Sequence, residues 1–317
     1  EGSNPVVNLL RIKGDVGESS SLGLAYTDRS DLGSRFNRVL GADARLVLAR
    51  RYTLEVMASG SADGGSGLET DWGSLVSVGF SRSSRAFTFG ASFEDISESF
   101  RARSGFIPRV GVTELEARTG YTWRGGPGAL VESWGPSLDV EGTWRRDDFW
   151  AGRGPQESEL QVNFRASFRG NSGVSVSFSR DSYAFAPWEY EGLYVAGGLD
   201  VAGELAEAGG PGASASSVFT PSSDLFSGLK SVRFRGWVRR WEAARLSLGG
   251  SWSETPIFTR GVPADVGESL NGNVSVSLYP TGSLSMGLEL RHSSIFRKRD
   301  DSRYSSATIP RIEARYQ

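Results

Sequence analysis

The stretch Glu157-Ser158-Glu159-Leu160-Gln161-Val162-Asn163-Phe164-Arg165-Ala166-Ser167-Phe168-Arg169 decides the fold class. Its apolar residues, Leu160, Val162, Phe164, Ala166 and Phe168, fall on every second position, and Glu159, Gln161, Asn163, Arg165, Ser167 and Arg169 alternate with them. A helix would mix the two sets around its circumference, whereas a strand sends them to opposite faces.

The pattern recurs on both sides of this stretch. From Arg38 to Ala49, Leu40, Ala42, Ala44, Leu46 and Leu48 oppose Asp43 and Arg45. From Thr113 to Trp123, Leu115, Ala117, Tyr121 and Trp123 oppose Glu114, Glu116 and Arg118; from Trp134 to Arg145, Leu138, Val140 and Trp144 oppose Asp139, Glu141 and Arg145. Val274 and Val276 oppose Asn273 and Ser275, and Met286 and Leu288 oppose Ser285 and Glu289. Pattern counting gives about fifteen such segments, within a range of about 14–16. Many reach about ten residues, the length a tilted strand needs to cross a bilayer. Tyr26, Tyr52, Trp72, Phe80, Trp123, Trp134, Trp144, Phe178 and Trp252 share the apolar parity, most of them near strand ends, where amphipathic rings suit a membrane interface.

Short connections are expected near Val16-Gly17-Glu18, Ala49-Arg50, Ser83-Ser84, Gly170-Asn171, Trp241-Glu242 and Pro280-Thr281-Gly282. Longer ones are expected at 28–35, 60–71, 95–110, 146–156, 181–227, 254–268 and 293–303, with 124–133 breaking the short–long rule. The expectation is an all-β, antiparallel transmembrane β-barrel, an up-and-down meander forming one domain over 1–317, with a long outer loop at 181–227. A soluble β-sandwich or solenoid is the competing architecture, and the density of charge on the second face argues against it.

Composition agrees. Apolar residues are 38% of 317, too few for a helical membrane bundle, and no run approaches the ~18 apolar residues of a spanning helix. A net charge of −2 lacks the basic excess that nucleic acid demands. There are no cysteines, which excludes disulfides and thiolate metal sites and suits an oxidising compartment such as the periplasm. The chain opens Glu1-Gly2-Ser3-Asn4-Pro5 without an initiator Met, and closes at Ala314-Arg315-Tyr316-Gln317 inside what reads as a strand. A mature form or a piece of a longer barrel, with several strands missing, is expected from this and from an odd strand count.

Arg11-Ile12-Lys13-Gly14-Asp15-Val16, Ser21 to Arg29, Asn37 to Leu46 and Ser104-Gly105-Phe106-Ile107-Pro108-Arg109-Val110-Gly111 together resemble an uncharacterised bacterial family. Its members place a periplasmic carbohydrate-binding-like domain before an outer-membrane barrel. The resemblance is clearest to about Tyr121 and brings no catalytic residues. It implies an outer-membrane location and a periplasmic carbohydrate-binding domain or partner.

The candidate lumen residues are Asp43, Arg45, Glu114, Glu116, Arg118, Asp139, Glu141, Arg145, Glu159, Arg165, Arg169, Arg233, Arg235 and Glu289. Carboxylates two apart on a strand, as in Glu114/Glu116, Asp139/Glu141 and Glu157/Glu159, lie ~6.5–7 Å apart, a spacing compatible with glycoside hydrolysis or a hard cation. Pairing with Arg118, Arg145, Arg165 and Arg169 in a ladder of charges is the stronger expectation. The lone His292 shares parity with Ser294 and not with Ser293, so a hydrolase reading is weak. Gly125-Gly126-Pro127-Gly128 lacks the strand–turn–helix context of a phosphate loop. Trp188, Tyr190 and Tyr194 in the longest loop could stack on sugar rings or plug the barrel. Asp147-Asp148 and Asp300-Asp301 could bridge lipopolysaccharide through divalent cations, although a solvated loop is the simpler reading. The expected function is a pore or transport scaffold for polar solutes, saccharides among them, embedded in outer-membrane lipid and lipopolysaccharide, with no cofactor, no metal and no nucleic acid. A plugged adhesion barrel and an outer-membrane hydrolase are the alternatives.

Overall fold

A computed structural model describes residues 5–31, 35–182, 228–241, 243–259, 262–281 and 283–316. The strands are β1 (Val6–Val16), β2 (Ser20–Ser30), β3 (Arg35–Leu48), β4 (Tyr52–Gly65), β5 (Leu68–Ser83), β6 (Phe87–Ile96), β7 (Val112–Tyr121) and the two-residue β8 (Trp123–Arg124). β9 (Val131–Arg145), a short helix α1 (Arg146–Trp150), β10 (Glu157–Phe168) and β11 (Ser172–Ser182) follow. The series ends with β12 (Leu229–Trp241), β13 (Ala244–Thr259), β14 (Val262–Thr281), β15 (Leu284–Arg297) and β16 (Arg303–Tyr316). Each strand hydrogen-bonds to the next in sequence, apart from β8, which pairs β9 off the main path. This all-β, up-and-down antiparallel meander is the strand arrangement of transmembrane β-barrels. Among the described residues no helix is long and apolar enough to cross a membrane.

The described residues divide into two compact units. The first holds β1–β6, α1, most of β7 and the last six residues of β9; the second holds the start of β9, β8, nearly all of β10, and β11–β16.

Register carries the alternation across neighbouring strands. Ile12 faces Leu24, Leu24 faces Ala42 and Ala42 faces Ala58, while Lys13–Gly23–Asp43–Met57–Ser77–Glu94 forms the adjacent row of opposite parity. A one-residue slip would invert every side chain, so this agreement is what keeps each face uniform. The apolar face is open: Leu24 is 53% exposed, Leu40 60% and Leu248 50%. Only seven apolar side chains are buried among the described residues, far short of the core of a soluble sandwich.

Turn chemistry follows expectation where turns are tight. Ala49 and Arg50 adopt φ of 49° and 54°, and Gly170 and Asn171 adopt 87° and 56°, the paired positive values of a type I′ hairpin. Two expected loops are strand instead. Across 60–71, β4 and β5 continue to a connection at Ser66-Gly67, and across 254–268, β13 pairs with β14 out to Ile257 opposite Asp265. Gly, Ser and Asp there carry no face pattern, but their backbone groups still fill the ladder. In 293–303, β15 likewise runs on to Arg297. The expected outer loop leaves β11 at Ser182, and its residues 183–227, with Trp188, Tyr190 and Tyr194, lie outside the described residues.

Candidate functional site

The polar face of the first unit is built from cross-strand charge pairs. Arg11 on β1 reaches Asp43 on β3 at 2.6 Å, passing over Gly23 on β2. A Cβ at Gly23 would sit 2.7 Å from Asp43 Oδ1, so a side chain there would break the pair. Arg45 meets Glu55 at 3.1 Å. Glu116 accepts a hydrogen bond from Ser92 Oγ at 3.3 Å and has Arg118 at 3.9 Å, the Arg118 chain lying against Gly90. Arg109 pairs with Glu157 at 2.8 Å. Glu114 and Glu141 are half-buried beside Glu116 and Glu157, so the expected ladder thickens here into a carboxylate-rich patch.

In the second unit the balance reverses. Arg233, Arg235, Arg245 and Arg291 line a cavity of ≈ 650 Å³ with Ser247, Ser251, Asn271 and Asn273. Glu289 is engaged by Arg291 at 2.8 Å, and Arg233, Arg235 and Arg245 make no ion pair among the described residues. Arg165 stacks over the Trp237 ring at 5.5 Å and meets no carboxylate among the described residues, and Arg169 lies against Gly128. Asp139 is half-buried and Glu159 exposed, at positions of polar parity, and Arg145 is exposed where β9 gives way to α1.

His292 lies in register with Gly272 and Thr308, in the apolar rows. Its Nδ1 is 2.8 Å from Thr308 Oγ1 and its Nε2 3.3 Å from Ser294 Oγ. Ser293 faces the other way and donates to Asn271 Oδ1 at 2.6 Å. No group of metal-ligating side chains occurs among the described residues.

The feature that alternation did not reveal is the segment between β6 and β7, residues 97–111. It folds back onto β3, β4 and β5. Phe100 is 2% exposed, packed on Leu75 and Ile96, with Val39, Ala102, Ile107 and Val110 around it. Buried Asn37 donates its Nδ2 to Arg101 O (3.0 Å) and accepts the Arg103 N–H at Oδ1 (2.9 Å). Buried Ser61 Oγ accepts the Arg101 N–H at 3.0 Å. Asp63 receives Arg103 through Nε at 2.7 Å and Nη2 at 2.8 Å, a bidentate pair that raises the Arg103 pKa above its ordinary value, chiefly through these hydrogen bonds. Arg29 adds a hydrogen bond to Arg103 O at 2.9 Å. Val39, Leu75 and Ile96 are apolar residues at polar parity, and that break in the pattern is the sequence signal for this contact.

No family model matches the chain, and no curated protein does. Among solved structures it is similar to OccK10 (OpdN) of Pseudomonas aeruginosa, at 9% identity and a TM-score of 0.41 over 100% of this chain and 93% of that one. It is also similar to OccK5 (OpdH) of the same organism, at 9% identity, a TM-score of 0.38 and coverage of 97% and 96%. With P. aeruginosa OpdQ the values are 10%, 0.39, and 96% of each chain.

Proposed function

We propose that this chain is an outer-membrane β-barrel that passes polar solutes, its polar face lining an aqueous lumen. One observation carries the reading: a meander with one continuously exposed apolar face and a second face of charge pairs and Ser, Asn and Gly. An apolar face of that extent needs lipid, and ion pairs on the reverse need water. The polar face of the first unit carries a carboxylate-rich patch and that of the second an arginine-rich one. Sugars are a fitting solute class, given the resemblance to barrels that follow a carbohydrate-binding-like domain; outer-membrane lipid and lipopolysaccharide are the surroundings.

The test is to fold the chain into detergent and add it to a planar bilayer. Steady single-channel current is expected. Folded, inserted protein that never conducts would exclude a pore and leave a scaffold or adhesion barrel. Swelling of protein-containing liposomes in neutral sugars then tests the solute class.

A further inference from the structure

We propose that residues 97–111 form a fixed constriction inside the passage, which sets the largest solute that crosses. The inference rests on the pore reading and adds to it a named size-limiting element. Placement comes from register. Asn37, Ser61, Asp63, Gly73 and Leu75, which hold the segment, belong to the rows of Asp43, Arg45 and Glu55, so the segment lies on the polar face, towards the strand ends that the β4–β5 connection joins.

The segment is built in rather than draped. Gly73 lies so close that a Cβ there would come within 2.2 Å of Phe100 Cα and 2.3 Å of Phe100 N, both backbone atoms. Asn37 and Ser61 are each 1% exposed, and their side-chain polar atoms are satisfied by the segment's own backbone. Asn37 Nδ2 also reaches Asp63 Oδ1 at 3.2 Å, but Asn37 Oδ1 and Ser61 Oγ take their backbone N–H from the segment alone, which favours one geometry. The apolar underside (Phe100, Ala102, Ile107) faces the strands, while Arg101, Ser104 and Phe106 stay exposed, Phe106 at 67%. A strap held this firmly narrows the opening permanently and does not swing.

The chain has no cysteine, so single cysteines report position cleanly. Ser77→Cys, on the polar face one same-face position beyond Leu75, and Phe106→Cys, on the exposed side of the segment, are treated with a charged methanethiosulfonate reagent during single-channel recording. Both should lose most of their current. The Asn37→Ala/Ser61→Ala double variant, with folding checked by circular dichroism, should conduct severalfold more and admit larger sugars in liposome swelling. Silent wild type, or Ser77→Cys current untouched by reagent, would sink the pore reading and this proposal with it. Block at Ser77→Cys without block at Phe106→Cys would overturn the constriction alone. So would block at both sites with unchanged conductance in the double variant.

Discussion

Replacing Gly73 by alanine should pry the strap from the sheet. The new Cβ would stand 2.2 Å from Phe100 Cα. Ordinary carbon contacts are about 3.5–4.0 Å, so the Phe100 backbone must retreat by about 1.5 Å. That displacement exceeds the tolerance of the three hydrogen bonds at 2.9–3.0 Å that Asn37 and Ser61 make to residues 101 and 103. Each contributes about 1 kcal/mol net, and burial of the Phe100 ring about 2 kcal/mol, so the strap is held by about 5 kcal/mol. The Arg103–Asp63 pair is left out of this sum because the guanidinium is 46% exposed and screened. At a decade per 1.4 kcal/mol, the wild-type strap is open on the order of once in several thousand molecules. Trypsin cleavage after Arg101 and Arg103 follows that population, so Gly73→Ala should be cut there on the order of a thousandfold faster. Mass spectrometry of the fragments reads the sites. Gly79→Ala is the control, since its Cβ would meet only Glu55 Cβ at 3.9 Å. If Gly73→Ala is cut there no faster than Gly79→Ala, the close approach does not hold the strap and the reasoning fails.

Further predictions address the two faces and one loop. Replacing Arg233, Arg235 and Arg245 together by alanine should shift the reversal potential in a salt gradient towards cations, because it removes three guanidiniums that make no ion pair among the described residues from the proposed lumen face; no shift would place them outside the conduction path. Leu248→Arg puts a charge on the apolar face and should destabilise the detergent-folded or bilayer-folded protein by roughly 2–4 kcal/mol near mid-membrane, whereas Ser247→Arg on the polar face should cost far less in the same urea titration. Lys298, in the β15–β16 connection, donates a hydrogen bond to Glu254 Oε1, and this raises the Lys298 pKa above its ordinary value. A raised cation pKa contributes stability fully below the unfolded value of about 10.4 and loses it as pH climbs through the folded value. Nitrogen-resolved NMR of Lys298 should therefore show a later titration in the wild type than in Glu254→Gln.

Much of the architecture was legible because strand alternation is local. In β10 the residues on each face follow from spacing alone, and hairpins such as Gly170-Asn171 declare themselves through residues that tolerate positive φ. Strand ends were less legible. Around Gly60–Asp71 the side chains carry no face preference, and the pairing is decided by backbone groups that a sequence pattern cannot see. The lumen candidates were chosen by parity, which does not give their partners. Arg45 meets Glu55 because register sets them opposite, while Arg165 finds the Trp237 ring instead of an acid.

The sequence by itself determined that this chain is a two-faced antiparallel meander, because side-chain direction in a strand depends only on counting by two. The fate of residues 97–111 was decided by tertiary structure. Asn37 bonds residues 64 and 66 positions away and Ser61 one 40 positions away, and no local spacing announces such contacts. Val39, Leu75 and Ile96 look like errors of pattern until the chain returns to cover them, and it returns because burying Phe100 on those three removes apolar surface from water on an otherwise polar face.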